Sequence, residues 1–308
     1  MKHRQERAVL VTGGRGFVGR AVGKLLRREG YEVISLDRVA LTEEAGSDRI
    51  NQAQCDIADV PALYSVFQNQ PVEAIVHLAA ILPTTAQRDP VRATAVNVQG
   101  SLNVLEMARE FGTRRVVFGS SLSVYGTYRA DRAVSELDRI GPEDLYGAAK
   151  AYVEQLGSAY RSSYGLEFLS LRIGRVLGAG ANSKTSAWRS EIFELIDTKS
   201  ACEIFLPYME SERVLVVHVE DVARMLVALL TAEKPAHCIY NSVCESLLAG
   251  ELKRGIEELN ANVRVTLSNA EVVGNPRQLD SSRFTEEFGC RNVSVLEQLA
   301  KAAGGDAR

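Results

Sequence analysis

In the stretch YGAAK a tyrosine and a lysine stand four residues apart, as Tyr146 and Lys150. The residues that follow have a helical pattern, and positions i and i+4 share one helix face. Both side chains would therefore enter the same cavity. An ammonium favours a phenolate beside it, so the spacing predicts a tyrosine with a lowered pKa, suited to proton transfer. On spacing alone the same pair is two ordinary helix residues, and the rest of the chain has to decide. A serine-rich segment, SSLSVYG at 120–126, precedes the pair and follows an apolar run. Its hydroxyls would sit at the carboxyl end of a strand, where they can hydrogen-bond a substrate alcohol.

A second group of residues suits a dinucleotide. TGGRGFVG follows an apolar run and opens an amphipathic helix. Gly13, Gly16 and Gly19 would let backbone approach a pyrophosphate, and the helix opening at Phe17 and Val18 would supply positive potential. Asp37 ends the next apolar run, placed to accept hydrogen bonds from the adenosine ribose and to repel a 2′-phosphate. Arg15 and Arg38 pull the other way, since either would pair with that phosphate. The balance favours NAD over NADP. Asp56 and Ile57 of CDIAD are candidates for the adenine amino group and ring face. In HLAA, Leu78, Ala79 and Ala80 allow close backbone approach, whereas His77 reads as a packed strand residue. Asn97 lies within a long helical pattern, placed to brace the strand that carries the site. Gly100 follows it, and a glycine inside a helix costs up to ~1 kcal/mol, which signals tight packing there.

Elements that position these residues follow from the patterning. RAVLVTGG, YEVISLD, VEAIVHLAA, RRVVFGSS and LEFLSLRIGRV read as strands, with helical segments between them. Strands alternating with helices imply a parallel sheet covered on both faces. The expectation is an α/β chain: a Rossmann-type doubly wound parallel sheet with a smaller, partly inserted C-terminal substrate lobe. Residues 1–177 would bind the dinucleotide, with 214–243 returning to them and HCIYNSV supplying a late strand of the main sheet. Residues 178–213 and 244–308 would bind substrate.

The chain has 308 residues, 24% of them charged, and a net charge of -3, which argues against nucleic acid as a partner. Five dispersed cysteines without a CxxC pair read as reduced thiols in a cytoplasmic protein. The four histidines show no metal-ligand spacing. The N-terminal apolar run is too short for a signal peptide or a membrane span.

Taken in order, these motifs resemble the extended short-chain dehydrogenase/reductase family, also called the NAD-dependent epimerase/dehydratase family. The resemblance runs from about Val9 to Leu230. It implies that Tyr146 is the general acid/base. It implies that Lys150 holds the nicotinamide ribose and lowers the tyrosine pKa, and that Ser121 polarises the substrate oxygen. Within the family, the sugar-nucleotide epimerases carry a GPG stretch and an arginine four residues before a histidine. Here the corresponding stretch is GAGANSKTSAW, and Arg213 lies five residues before His218. That pattern is closer to the family's dehydrogenases of small hydroxy acids and sugar acids, with Arg213 as a clamp for a substrate carboxylate. Ser123 and the loop from Asn182 to Ser186 are further candidates for substrate contact, and Trp188 reads as packing. The resemblance thus implies an NAD-dependent oxidoreductase acting on a secondary alcohol of a small polar substrate. The alternative is a nucleotide-sugar epimerase or dehydratase with tightly bound NAD. Long helices around 90–111 and 144–164 resemble those that pair the family's subunits, so a homodimer is expected.

Overall fold

The computed structural model describes residues 8–39, 51–127, 132–181, 186–272, 274 and 276–304. Twelve strands occur among them: β1 Ala8–Thr12, β2 Val33–Asp37, β3 Asn51–Gln54, β4 Val72–His77, β5 Arg115–Ser121, β6 Glu167–Ile173, β7 Arg175–Leu177, β8 Cys202–Leu206, β9 Arg213–His218, β10 Ile239–Asn241, β11 Glu245–Leu248 and β12 Val263–Leu267. Seven of them form one sheet in the order β10-β6-β5-β4-β1-β2-β3. The pairs β1–β2, β1–β4, β2–β3 and β4–β5 are parallel. This is the Rossmann-type doubly wound sheet that the alternating pattern implies. The chain winds outward from β1 through β2 and β3, then restarts at β4 on the other side of β1. The crevice beyond the carboxyl ends of β1 and β4 is therefore the place where such sheets bind ligands.

Apolar burial explains the strands. All five residues of β1 are buried, as are six of the seven in β5. Such runs fit a sheet covered on both faces. Strand β3, NQAQ, has no apolar run, and its pattern gave no sign of a strand; it is the polar edge of the sheet.

Two expected elements are divided. LEFLSLRIGRV is not one strand: β6 lies in the large sheet, whereas β7 pairs with β9, which also pairs antiparallel with β11. Gly174 stands at the break. The long helical pattern of 90–111 is a helix Pro90–Thr94, a wider π turn Ala95–Gly100 and a helix Ser101–Glu110. At Gly100 a Cβ would lie 2.7 Å from Ile57 Cγ1, so the glycine lets the turn close onto Ile57. Turns of this kind recur at functional sites.

Two compact units emerge. The first comprises Met1–Gly126, Arg139–Arg172 and Ala223–Tyr240. The second comprises Thr127–Asp138, Ile173–Val222 and Asn241–Arg308. The segment returning to the first unit is thus shorter than 214–243, because β9 pairs within the second. The first unit's core joins residues such as Leu10, Ile34, Ile75, Val116 and Phe168. The second has its own core, with Trp188, Ile192, Leu206, Val216 and Leu252.

Candidate active site

Strand β5 runs buried to its end and delivers Ser121 to the carboxyl edge of the large sheet. There the Ser121 hydroxyl accepts a hydrogen bond from the Ser123 amide at 3.1 Å, which starts a 3-10 turn over Leu122–Tyr125. Gly126 ends that turn at φ 66°, and a Cβ on it would lie 2.0 Å from the Gly141 carbonyl oxygen. Helix Leu145–Tyr164 follows, capped by Asp144, whose carboxylate accepts from the Gly147 amide at 2.6 Å. A Cβ at Gly147 would fall 2.5 Å from the Ser123 carbonyl oxygen. The glycine inside YGAAK therefore lets the helix lie directly on the serine turn.

That packing gathers Ser121, Tyr146 and Lys150. The Ser121 hydroxyl is near enough to the Tyr146 phenol to lower its pKa. Lys150 Nζ donates to the Gly119 carbonyl at 2.6 Å and lies 5.5 Å from the centre of the Tyr146 ring. The Phe118 ring lies 4.4 Å from the same nitrogen. The electrostatics differ from the sequence expectation. Burial pushes the Tyr146 phenol up to about 12, with the Ser121 hydroxyl opposing and Asp144 adding to the rise. Burial pulls Lys150 down to about 7, against the pull of Glu154. The lysine does not lower the tyrosine here, because desolvation outweighs attraction across this distance.

The glycine loop after β1 is packed so tightly that side chains have no room. A Cβ on Gly13, where φ is 67°, would lie 2.8 Å from the Ala79 amide nitrogen, and one on Gly19 would lie 2.2 Å from the Gly13 carbonyl oxygen. Helix Phe17–Arg28 starts at Gly16 with no side-chain cap, so its first amides face outward with the positive end of the helix. Thr12 and His77 sit side by side in the register of β1 and β4. The Thr12 hydroxyl bonds His77 Nδ1 at 2.6 Å and accepts from the amides of Leu78 and Ala79 at 3.1 and 3.2 Å. Thr12 therefore donates to Nδ1, and His77 Nε2–H donates to Ser101 at 2.9 Å. A fully buried, neutral imidazole results, its pKa lowered to about 3 by burial and then by Lys150. His77 is a structural link, as its strand position suggested.

The model of the NAD dependent epimerase/dehydratase family matches residues 9–241. The chain belongs to that family. A uronate dehydrogenase of Pseudomonas syringae pv. tomato is 30% identical over 183 residues, 59% of this chain and 64% of that protein. A UDP-glucose 4-epimerase of Lacticaseibacillus casei is 32% identical over 174 residues, 56% of this chain and 52% of that one. This chain thus spans between half and two thirds of these relatives. Among solved structures, the Thermus thermophilus UDP-glucose 4-epimerase in complex with NAD is similar at a TM-score of 0.80 and 25% identity, covering 96% of this chain and 98% of that one.

NAD is the cofactor in the family's name, and this chain's residues fit it. The side-chain-free glycine cradle and the uncapped helix start suit a pyrophosphate. Asp37 stands at the end of β2, with Oδ2 accepting from the Arg15 amide at 3.2 Å and Oδ1 from the Val39 amide at 3.2 Å. The Arg15 guanidinium donates to the Val39 carbonyl at 3.0 Å, which ties it down beside the carboxylate. Arg38 is exposed next to it.

Other candidates have defined partners. Asp56 pairs with Arg92 and accepts from the Ala58 amide at 2.9 Å. Arg92 is a partner that sequence patterning did not single out. Ile57 is buried under Gly100. The Asn97 amide clamps one peptide: Oδ1 accepts from Ile81 N at 2.7 Å and Nδ2 donates to Ile81 O at 2.9 Å. Asn97 thereby holds the backbone that follows Leu78, Ala79 and Ala80. Arg213 is exposed and donates to the Ser246 carbonyl at 3.2 Å. Trp188 is buried against Tyr208. Of the loop Asn182–Ser186, residues 182–185 lie outside the described residues. Among the described residues no His/Cys/Asp/Glu group could hold a metal ion.

The sequence reading also passed over a buried polar link. Glu154, one turn beyond Lys150, takes a forked bond from Arg172 on β6, with Nη2 to Oε2 at 2.8 Å and Nε to Oε1 at 3.1 Å. Arg172 Nη1 also donates to the Tyr125 hydroxyl at 2.9 Å. Helix Leu145–Tyr164, β6 and the serine turn are thus joined through one guanidinium. The available signal was a charged residue on the buried face of a helix.

Proposed function

We propose that the protein is an NAD-dependent dehydrogenase that interconverts a secondary alcohol and a ketone on a small polar substrate: a hydroxy acid, a sugar or a sugar acid. The observation that supports this best is the convergence of Ser121, Tyr146 and Lys150 at the carboxyl edge of the sheet that carries the glycine cradle. NAD supplies the hydride acceptor, or in reduced form the donor. Ser121 Oγ hydrogen-bonds the substrate oxygen and fixes its direction. Tyr146 Oη takes the proton of the alcohol, or returns it to the ketone. Lys150 Nζ, anchored on the Gly119 carbonyl, stabilises the phenolate as it forms and holds the nicotinamide ribose. Gly13, Gly16, Phe17 and Val18 would take the pyrophosphate, Asp37 the adenosine ribose, and Leu78, Ala79 and Ala80 the adjoining cofactor surface.

The second reading is an epimerase or dehydratase of a nucleotide sugar, favoured by the UDP-glucose 4-epimerases among the relatives. Nucleotide released on denaturing the purified protein separates the two. An exchanging dehydrogenase carries little NAD, and a panel of hydroxy acids and sugar acids then reduces NAD in its presence. Near-stoichiometric NAD with no turnover on that panel would reject the dehydrogenase reading. Dispersed free cysteines suit a cytoplasmic setting. Among the described residues no helix is long and apolar enough to cross a membrane.

A further inference from the structure

Buried charges are ordinarily paired. Lys150 is buried, yet among the described residues no carboxylate comes within ion-pair distance of its Nζ. Glu154, the acid one turn on, is held by the Arg172 fork. An ammonium carries three donors, and the Gly119 carbonyl takes one of them at 2.6 Å. What faces the charge instead is an aromatic ring: Nζ lies over Phe118, 4.4 Å from the ring centre. The fold fixes that contact from both sides. Phe118 is buried on β5, opposite His77 on β4. Its ring centre lies 5.6 Å from that of His77 and 6.0 Å from that of Phe168 on β6. One aromatic row therefore crosses three neighbouring strands. Lys150, Glu154 and Gly157 share the helix face that rests on this row. At Gly157 a Cβ would lie 2.4 Å from the Phe168 ring, so the glycine brings the helix against the row and the lysine onto Phe118. Burial takes Lys150 down to about 7, where a small electrostatic contribution decides the charged fraction. A ring face attracts a cation through its quadrupole, more strongly where water is excluded, and does nothing comparable for a neutral amine.

We propose that the face of the Phe118 ring is the electrostatic partner of the Lys150 ammonium, which makes Phe118 a positioning residue for that lysine. The use of the held charge rests on the role proposed above for Lys150, at the nicotinamide ribose and the Tyr146 phenolate. An alkyl side chain would fill the same strand position but would offer the ammonium no counterpart. The other titratable groups around Lys150 are Tyr146 and Glu154 on its own helix, His77 on β4, and Arg172 on β6 with Tyr125 on the serine turn behind Glu154. A change confined to the electrons of the Phe118 ring alters the charge of none of them.

The test replaces Phe118 with phenylalanines carrying one, two and three ring fluorines, which keep nearly the same shape and progressively cancel the negative face of the ring. Lysine labelled with carbon-13 at Cε reports the Lys150 titration by NMR, its signal assigned by its loss in Lys150→Met. The titration midpoint is expected to fall stepwise across the series, by about one pH unit in all, and to fall in Phe118→Leu as well. A midpoint that is the same in every fluorinated protein would overturn the proposal and leave Phe118 as packing, even if Phe118→Leu shifts it. NAD affinity, measured by calorimetry at the wild-type midpoint, separates the contact from its use. Affinity that falls with the charged fraction supports both. A stepwise midpoint with unchanged NAD affinity supports the ring contact and rejects Lys150 as the ribose ligand.

Discussion

Tyr146 and Lys150 share a helix face, yet burial dominates both. With the phenol near 12 and the ammonium near 7, the pair in the protein is close to neutral at physiological pH. Proton transfer then depends on what Ser121 and the bound cofactor do to the phenol. Tyr146→Phe should lower kcat by about 10²–10⁴-fold, the usual contribution of a general acid/base, with NAD binding retained; unchanged kcat would reject the role. Lys150 also makes a stability statement. Its folded pKa lies below its unfolded value of 10.5. Between pH 7 and 10.5 the unfolded chain therefore binds the extra proton, and stability rises with pH across that window. A Lys150→Met variant, followed by urea denaturation, should gain most relative to wild type below pH 7. That advantage should shrink by up to roughly 4–5 kcal/mol as pH approaches 10.5. A difference that does not vary with pH would contradict the buried-ammonium account.

At the scale of elements, the site depends on how closely helix Leu145–Tyr164 lies on the serine turn. Alanine in place of a helical glycine normally stabilises by about 0.5–1 kcal/mol. Gly147→Ala should do the opposite, because its Cβ meets the Ser123 carbonyl and the helix must shift. A loss of about 1–3 kcal/mol is expected, together with reduced turnover, measured by thermal melting and initial rates. A stabilised, fully active variant would contradict the packing described. Glu154, Arg172 and Tyr125 hold the same three elements from beneath. Removing one partner strands a buried charge, so Glu154→Gln should cost about 3–5 kcal/mol. The double variant Glu154→Met with Arg172→Met should recover most of that in denaturant titration. If the double variant is as unstable as the single one, the cost lies in packing and not in the stranded charge.

For the molecule as a whole, association is a prediction that rests on the exposed faces of helices Ser101–Glu110 and Leu145–Tyr164. Leu145 and Tyr152, two turns apart on one face of the second helix, are 51% and 54% exposed. A homodimer is the expected state. Light scattering should give twice the chain mass, and Tyr152→Glu should halve it while NAD binding persists. A wild-type protein that scatters as a single chain would reject the dimer.

Much of this was determined by local sequence alone. Alternating apolar runs and helical segments specify the parallel sheet, because only burial on both faces accounts for strands such as VLVT and VVFG. The order of the glycine loop, Asp37, the serine segment and YGAAK indicates a candidate dinucleotide site and a candidate acid/base pair, since each motif names its place in a strand–helix unit. Other features depended on contacts between residues distant in sequence. The division of LEFLSLRIGRV between two sheets, the π turn under Ile57 and the polar strand NQAQ leave no periodic trace. Nor do the Asp56–Arg92 pair and the Glu154–Arg172 fork, whose partners lie on separate elements. The raised Tyr146 pKa has the same origin: spacing reveals which charges are near, but only packing sets how far water is excluded, and desolvation was the larger effect.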